Sequence, residues 1–237
     1  MKFTKHLRHI GKKIYYFGNK RCCPLCGKKA KKFDIYGLKG RQDARCIHCG
    51  SLERHRLLWL YLTEKTKLFC QKSSRKMLHI APEKCLERKF QNLFGDGYVT
   101  ADLNDPRVQV KMDVTNIPFD NQTFDIIYCS HVLEHVPDDR GALREFYRVL
   151  KDDGLVVLMV PVNVEETIED PSITDPKERE RLFGQWDHVR KYGPDFINRV
   201  RKAGFKAEEV LPGDFLNEEK INYCSTTHHT PIYHCTK

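Results

Sequence analysis

The chain has 237 residues, of which 40% are hydrophobic and 31% charged, and its formal net charge is +9 at pH 7. This length suffices for one large domain plus a small module. No apolar run approaches the roughly 20 residues of a membrane-spanning helix, and no signal peptide opens the chain. These features predict a cytoplasmic protein without a membrane span.

The positive charge is concentrated in the N-terminal region. Residues 1–41 contain thirteen Lys and Arg but only one acid, Asp34, whereas the rest of the chain carries a slight excess of acids. A basic segment of this kind suits phosphates, anionic lipid or an acidic partner. RNA is therefore a candidate partner for residues 1–41, and a solvated basic surface is the alternative.

The first predicted element is a helix over residues 3–17, where apolar side chains recur at steps of four and three residues. The stripe consists of Phe3, Leu7, Ile10, Ile14 and Phe17. A helix with this pattern packs on its own protein or lies on a membrane surface.

Two C-x-x-C pairs follow, Cys23 with Cys26 and Cys46 with Cys49, at a separation typical of a four-cysteine zinc site. A glycine after each pair allows an unusual backbone angle, so two tight turns can direct four thiolates at one point. A closed tetrahedral shell of four thiolates is structural and not catalytic. The sequence thus predicts a small zinc-ribbon module, in which Cys22 could replace Cys23 but has the less favourable spacing.

Residues 51–74 are predicted to be a connector, mostly a helix capped by Ser51, between a first region (1–50) and a main domain (75–237). In the main domain buried strands alternate with amphipathic helices, which indicates a doubly wound, mostly parallel α/β sheet. The predicted strands are 77–81, 98–103, 108–114, 124–130 and 155–162, and the predicted helices are 83–94, 139–153 and 194–205.

An H-x-x-E-H pattern lies at His131, Glu134 and His135. It matches the zinc-ligand signature of one metallopeptidase class, which requires the motif on a sustained helix. Here the motif directly follows the predicted strand 124–130, and Pro137 comes two residues after its last histidine, which leaves no room for such a helix. The motif is instead predicted to lie at the exit of the fourth parallel strand, where doubly wound folds bind ligands.

The segment FDIIYCSHVLEHVPDD, followed by ALREFYRVLKDDGLVVLMVPV, resembles the core of class I S-adenosylmethionine-dependent methyltransferases. The similarity is nearest to the methyltransferase type 11-like group, which includes ubiquinone-biosynthesis and small-molecule enzymes. It covers residues 76–162 well and 187–237 loosely. It implies a seven-stranded Rossmann-like sheet, with S-adenosylmethionine across the carboxyl ends of the first four strands. Structural Zn²⁺, predicted from the cysteine spacing, is the second expected cofactor.

The resemblance also implies the residues that bind the cofactor. Asp102 ends the second strand, where an acid of the family binds the ribose hydroxyls. Asp113 ends the third strand, where an acid accepts a hydrogen bond from the adenine amino group. The remaining implied cofactor residues are His79, Ala81, Glu83, Val114, Ser130 and His131.

The first loop of the domain departs from the family pattern. The family has an acid followed by spaced glycines, whereas residues 79–85 read HIAPEKC, without a glycine. Glycines at this place let the backbone approach a cofactor closely. Glu83 could attract the positive groups of the cofactor. The alternative is a catalytically degenerate fold that serves as a zinc-bearing module for binding nucleic acid or protein.

Residues 163–193 are longer than an ordinary connection and are predicted to form a lid or pocket wall. Asp187 and His188 could act there as an oriented catalytic base or merely tie the lid to the sheet, and Arg190 and Tyr192 could hold an anionic acceptor. The predicted function is methyl transfer to an oxygen or nitrogen of a small molecule, sugar or glycan. The alternative is an RNA methyltransferase that grips RNA with residues 1–41.

Overall fold

The computed structural model describes residues 15–37, 40–66, 68 and 75–237. The chain divides into two compact units, one made of residues up to 72 together with 211–229, and one made of 73–210 together with 230–237. The predicted helix over residues 3–17 lies almost entirely outside the described residues. Residues 211–229, which the sequence pattern placed in the main domain, group with the N-terminal region.

Two small hairpins and two helices make up most of the described part of the first unit. Both hairpins are antiparallel, and they pair Arg21–Cys22 (β1) with Lys29–Ala30 (β2) and Asp34–Tyr36 (β3) with Arg41–Arg45 (β4). The two helices, numbered along the whole chain, are Glu53–Glu64 (α1) and Glu218–Cys224 (α6). The helix predicted from Ser51 onward is therefore present, but it spans only Glu53–Glu64.

The buried side chain of Arg56, on α1, joins the segments of the first unit. Its guanidinium lies over the ring of Phe33, 4.5 Å from the centroid. It donates hydrogen bonds to the backbone carbonyls of Ala44, Ser51, Cys224 and Ser225. Burial lowers the pKa of this guanidinium, because a charged group loses its hydration inside a protein. The backbone carbonyls replace the lost water as hydrogen-bond acceptors. This arrangement explains why 211–229 belongs to the first unit.

A seven-stranded sheet forms the second unit. Its strands are Met77–Ile80 (β5), Tyr98–Asp102 (β6), Val110–Lys111 (β7), Phe124–Ser130 (β8), Leu150–Met159 (β9), Lys206–Val210 (β12) and Ile232–Thr236 (β13). They lie in the order β12-β13-β9-β8-β5-β6-β7. Strands β5 to β9 run parallel, whereas β13 is antiparallel to both β9 and β12. The predicted mostly parallel, seven-stranded sheet is confirmed.

Shorter elements surround this sheet. The helices are Lys84–Phe94 (α2), Asp139–Val149 (α3), Pro176–Phe183 (α4) and Phe196–Lys202 (α5), and a two-stranded ribbon pairs Ile168–Glu169 (β10) with Arg190–Lys191 (β11). The predicted third strand, 108–114, is reduced to Val110–Lys111. The strand predicted at 155–162 begins earlier, at Leu150, and ends at Met159. None of the helices described here is long and apolar enough to cross a membrane.

One hydrophobic core fills the second unit and fixes the position of the strand ends. Leu78, Ile127 and Val156, on three adjacent parallel strands, are fully buried, as are Phe146 of α3 and Phe196 of α5. Parallel strands covered by helices become continuous apolar runs, which is why the sequence revealed them. Because β5, β6 and β8 are parallel, the residues that follow their carboxyl ends meet at one edge of the sheet.

Candidate functional site

A cavity of about 440 Å³ lies at the carboxyl ends of the parallel strands. Its volume falls in the range of roughly 300–1,000 Å³ that is usual for small-molecule and cofactor sites. Apolar side chains, including Ile80, Met112 and Val132, form much of its wall. Its polar side chains include Asp102, Asp113, His131, His135 and Asp187. The cavity therefore combines an apolar slot with several fixed polar groups.

Two carboxylates are held in place on one side of the cavity. Oδ1 of Asp102, at the end of β6, accepts hydrogen bonds from the backbone N–H groups of Asn104 and Asp105 at 2.7 and 2.8 Å. Oδ1 of Asp113 accepts from the backbone N–H and the hydroxyl of Thr115, both at 2.8 Å. Each carboxylate is thus oriented through one oxygen by the turn that follows it.

Ala81 and His131 line the cavity with backbone in the left-handed region. Their φ angles are +49° and +54°, and each is the first residue after its strand, β5 or β8. The N–H of Ala81 donates to the carbonyl of Ala101, and that of His131 donates to the carbonyl of Met159, both at 2.8 Å. Such angles are uncommon outside glycine and cluster at functional sites. The loop therefore keeps a glycine-like backbone at Ala81 although its sequence contains no glycine.

His79 and Glu83 lie behind this wall and do not belong to the cavity lining among the described residues. His79 is fully buried, with Nδ1 2.7 Å from the hydroxyl of Tyr98 and Nε2 2.8 Å from Oε2 of Glu83. The hydroxyl of Tyr128 donates to Oε1 of Glu83 at 3.3 Å. Burial raises the pKa of Tyr98. This network ties the start of α2 to β6 and β8 and so supports the loop that carries Ala81.

Five of the eight cofactor residues implied by the resemblance line the cavity. They are Ala81, Asp102, Asp113, Val114 and His131. His79, Glu83 and Ser130 are not part of that lining. The Ser130 hydroxyl is buried, and no hydrogen-bond partner for it is found in the described part of the chain. Five of the predicted residues thus meet at the cavity, because they lie at or just after the ends of parallel strands. His79, Glu83 and Ser130 lie behind the cavity wall.

Histidines and carboxylates gather at the opposite side of the cavity. Nδ1 of His131 lies 3.3 Å from Oε1 of Glu134, and Nδ1 of His135 lies 3.2 Å from Oδ2 of Asp187. The rings of His135 and His188 meet edge to face, with their centroids 4.6 Å apart. Burial, and then the nearby His135, lower the pKa of His188. Asp187 thus contacts His135, whereas the sequence suggested a pair with its neighbour His188.

Glu134 and His135 belong to the H-x-x-E-H pattern, but the sequence did not predict them as site residues. The motif follows β8 directly, and its last three residues form the short 3₁₀ turn Leu133–His135. It therefore lies at the exit of this strand, as predicted. The carbonyl of Glu134 accepts a hydrogen bond from the N–H of Val189 at 2.9 Å. This backbone bond brings the segment 187–189 next to the motif, a contact between residues distant in sequence that local patterns do not encode.

Arg190 and Tyr192 have their polar groups occupied by the protein itself. Arg190 is buried and donates to the carbonyls of Leu133 and Pro137 at 2.9 and 2.8 Å. The hydroxyl of Tyr192 donates to Asp139 at 2.7 Å. Both residues therefore tie the 163–193 segment to the residues after β8, and the acceptor contact predicted for them stays a prediction.

The four predicted cysteines converge in the first unit. Sγ of Cys23 lies 3.6 Å from that of Cys49, and Sγ of Cys26 lies 3.9 Å from that of Cys46. A tetrahedral zinc ion with Zn–S bonds of about 2.3 Å spaces its thiolates about 3.8 Å apart. The following glycines adopt φ angles of +71° and +76°, as predicted for both turns. The donor set and its spacing fit zinc, and metal binding itself stays a prediction.

Comparisons with known proteins agree with the fold of the second unit. Residues 73–158 match the family model described as a methyltransferase domain. The sterol 24-C-methyltransferase erg6 of Schizosaccharomyces pombe is 32% identical over 117 residues, which cover 47% of this chain and 29% of that protein. A demethylmenaquinone methyltransferase of Staphylococcus epidermidis is 45% identical over 47 residues, 20% of either chain. The chain thus spans less than a third of the length of these two relatives.

A crystal structure of a SAM-dependent methyltransferase from Archaeoglobus fulgidus has a similar fold. It matches with a TM-score of 0.50 and 14% identity, over 79% of this chain and 95% of that one. The seven-stranded sheet therefore has the Rossmann-like fold of such methyltransferases. The domain match and the relatives support an S-adenosylmethionine-dependent methyltransferase.

Proposed function

We propose that the chain is a methyltransferase that binds S-adenosylmethionine in the 440 Å³ cavity. The observation that carries this proposal is the convergence of Ala81, Asp102, Asp113, Val114 and His131, from four different strand ends, on one cavity. The positive φ of Ala81 adds support, because it supplies the backbone that the family obtains from glycine. A degenerate domain would have no need to keep that conformation.

Each lining residue has a distinct role in holding the cofactor. The Asp102 carboxylate suits the vicinal hydroxyls of a ribose, because a carboxylate accepts hydrogen from both. Asp113 and Val114 suit the adenine edge, and Ala81 and His131 border the methionine side. His79, Glu83 and Ser130 act indirectly, through the strands and the loop that they support. When bound, S-adenosylmethionine supplies a methyl group that is already activated for transfer.

The acceptor is proposed to lie against the cluster of His135, Asp187 and His188. Methyl transfer mainly requires that the acceptor be held and oriented correctly, which fixed side chains provide. Asp187 fixes the ring of His135, and burial favours the neutral form of His188. A neutral imidazole at His188 suits an oxygen or nitrogen acceptor that must lose a proton. The proposed acceptor is a small molecule, as for the relatives' sterol and demethylmenaquinone, and a sugar or glycan belongs to the same proposal.

The first unit is proposed to bind one structural zinc ion through Cys23, Cys26, Cys46 and Cys49. The short sulfur–sulfur distances support this proposal. Two further expectations stay predictions: an RNA contact through residues 1–41, most of whose first half lies outside the described residues, and a cytoplasmic location. The division into residues 1–50, 51–74 and 75–237 also stays a prediction.

Calorimetry with S-adenosylmethionine tests the proposed function. We expect saturable binding by the wild-type chain and at least tenfold weaker binding, or about 1.5 kcal/mol, after Asp102→Ala, since a hydrogen bond to a charged group is lost. The matched control is Asp105→Ala, because Asp105 is a nearby acid that does not line the cavity. A folded wild-type chain that binds no cofactor would contradict the proposal and favour the degenerate fold.

A further inference from the structure

A second cluster with metal-ligand chemistry lies beside the cavity. One carboxylate oxygen of Glu134 and one ring nitrogen from each of His135 and His188 lie within 4.8 Å of one another. Two histidines and one carboxylate form a facial set that binds divalent transition metals and leaves positions open. We propose that Glu134, His135 and His188 form a binding site for a divalent metal ion.

Each proposed ligand is already anchored through its other polar atom. Nδ1 of His135 lies 3.2 Å from Asp187, and Nδ1 of His188 lies 3.3 Å from the carbonyl of Phe183. Metal-binding histidines almost always use one ring nitrogen for such a partner, which directs the other nitrogen to the ion. The anchored Nδ1 atoms thus leave the Nε2 atoms of both histidines as ligands.

Glu134 provides an independent reason for a cation. Its side chain is 1% exposed, and Oε1 faces His131. Its second oxygen, Oε2, is buried, and within the described residues no hydrogen-bond partner for it is found. A buried carboxylate oxygen without a partner is costly. A divalent ion at this oxygen would remove that cost.

The required rearrangement is small. An octahedral ion with bonds of about 2.1 Å holds neighbouring ligands about 3.0 Å apart, so side-chain shifts of about 1–2 Å would close the cluster. The ligand types favour Zn²⁺, Mn²⁺ or Fe²⁺ over Mg²⁺ and Ca²⁺, which prefer an all-oxygen shell. The site differs from a peptidase motif, because His131 holds Glu134 and the third ligand comes from residue 188.

The role of the ion rests on the proposed function. His135 and Asp187 line the cavity, so an ion held by His135 lies at the cavity wall. Its open positions would bind an oxygen of the acceptor, orient it and lower its pKa. In that arrangement the two imidazoles hold the cation and do not serve as bases. The acceptor class is thereby narrowed to compounds with a hydroxyl or another oxygen donor.

Titration with Mn²⁺, followed by electron paramagnetic resonance of the free ion, tests the site. The full-length chain is first loaded with a single equivalent of zinc, which the four thiolates bind in preference to a histidine and carboxylate cluster, and any further zinc is removed by dialysis. We expect one Mn²⁺ per chain in the wild type. Affinity should fall at least tenfold in His135→Gln, His188→Gln and Glu134→Gln, since even the loss of a ligand's hydrogen-bonding partner costs about 10–100-fold.

The control is His234→Gln, which changes a histidine of β13 outside the cavity lining and should leave Mn²⁺ binding unchanged. Circular dichroism and calorimetry with S-adenosylmethionine establish that each variant is folded. Absence of Mn²⁺ binding in the zinc-loaded wild type, or wild-type affinity in folded His135→Gln and His188→Gln, would overturn the metal site. Mn²⁺ binding without any binding of S-adenosylmethionine would overturn the proposed function and leave the metal site standing.

Discussion

The two units assemble their binding groups in different ways. In the first unit four thiols come from two tight turns, each a C-x-x-C pair followed by a glycine with positive φ. In the second unit the cavity residues follow strands that are separated along the chain, and they meet only because the sheet brings the strand ends together. Local sequence therefore specifies the first site, whereas the second depends on the whole fold.

The units also differ in what stabilises them. The second unit has one continuous apolar core, formed by its sheet and helices. The first unit has short hairpins, a smaller apolar core that includes Leu57 and Leu58 of α1, and a buried arginine whose hydrogen bonds go to backbone carbonyls. Small folds with limited cores commonly need a metal. We therefore expect the first unit to depend on its metal and the second to fold without a ligand.

Metal loss is the strongest test of this difference. Structural zinc contributes about 10–16 kcal/mol of binding free energy in zinc-finger peptides. Chelation, or Cys26→Ser, should therefore abolish amide hydrogen-exchange protection in β1 to β4, while β5 and β8 retain theirs. Hydrogen exchange followed by mass spectrometry measures both regions in one sample.

Cys22→Ser is the matched control for this experiment, because Cys22 adjoins Cys23 but is not part of the four-sulfur cluster. It should keep one zinc per chain and full protection. Full zinc content in Cys26→Ser would refute the four-cysteine assignment. Equal loss of protection in both units would refute the contrast in stability.

Replacement of Arg56 should have the next largest effect. Arg56→Met keeps much of the side-chain volume but leaves several buried carbonyls without donors, at about 1–3 kcal/mol for each unsatisfied group. We expect the first unit to lose at least about 3 kcal/mol of stability. The readout is urea unfolding followed by hydrogen exchange, with Arg54→Met on the same helix as control. An unchanged midpoint would show that the carbonyls find other partners.

A smaller effect is expected at Glu169 in the second unit. Hydrogen bonds from Arg199 and then Arg190 lower the pKa of this carboxyl to about 2, against an ordinary value of 4.5. A lowered pKa stabilises the fold above pH 4.5, and this contribution is lost as the pH falls toward 2. The carboxylate is partly exposed and screened by water, so we expect about 1 kcal/mol.

Glu169→Gln should remove this pH dependence while leaving the rest of the acid-unfolding curve intact. Urea unfolding at several pH values between 2 and 6 measures it. Glu165→Gln, a change at an exposed residue of the same segment, is the control. The same slope in wild type and Glu169→Gln would mean that the two arginines do not stabilise the carboxylate.

Much of the second unit was predictable because buried parallel strands leave long apolar runs. Strand β12 was missed because its sequence, KAEEV, is mostly polar, as suits an edge strand with exposed side chains. The grouping of residues 211–229 with the N-terminal region could not be predicted, because Arg56 binds the carbonyls of Cys224 and Ser225, and backbone acceptors have no sequence signature.

The candidate site shows the same limit. The positions of Asp102 and Asp113 at the cavity were predictable, since Asp102 ends β6 and Asp113 follows β7 at the edge where such folds bind ligands. The partner of Asp187 was not, because neighbours in a loop can point in different directions, and its contact is with His135. The inward orientation of His79 follows from Tyr98 and Glu83 on either side of its ring. Strand ends could thus be assigned from sequence, but side-chain pairs across the cavity could not.

The smallest effect, and the sharpest test of the glycine-free loop, is expected for Ala81→Gly. A left-handed angle costs an alanine about 1–2 kcal/mol, whereas glycine adopts it freely but loses about 0.5–1 kcal/mol more entropy on folding. Ala81→Gly should therefore stabilise the second unit by about 0.5 kcal/mol and leave cofactor affinity unchanged. Ala81→Val should destabilise it by more than 1 kcal/mol, because a β-branched residue tolerates positive φ poorly. Urea unfolding and calorimetry measure both variants. If Ala81→Gly destabilised the protein, the loop would not be held in a glycine-like conformation, and the strongest argument against a degenerate fold would be lost.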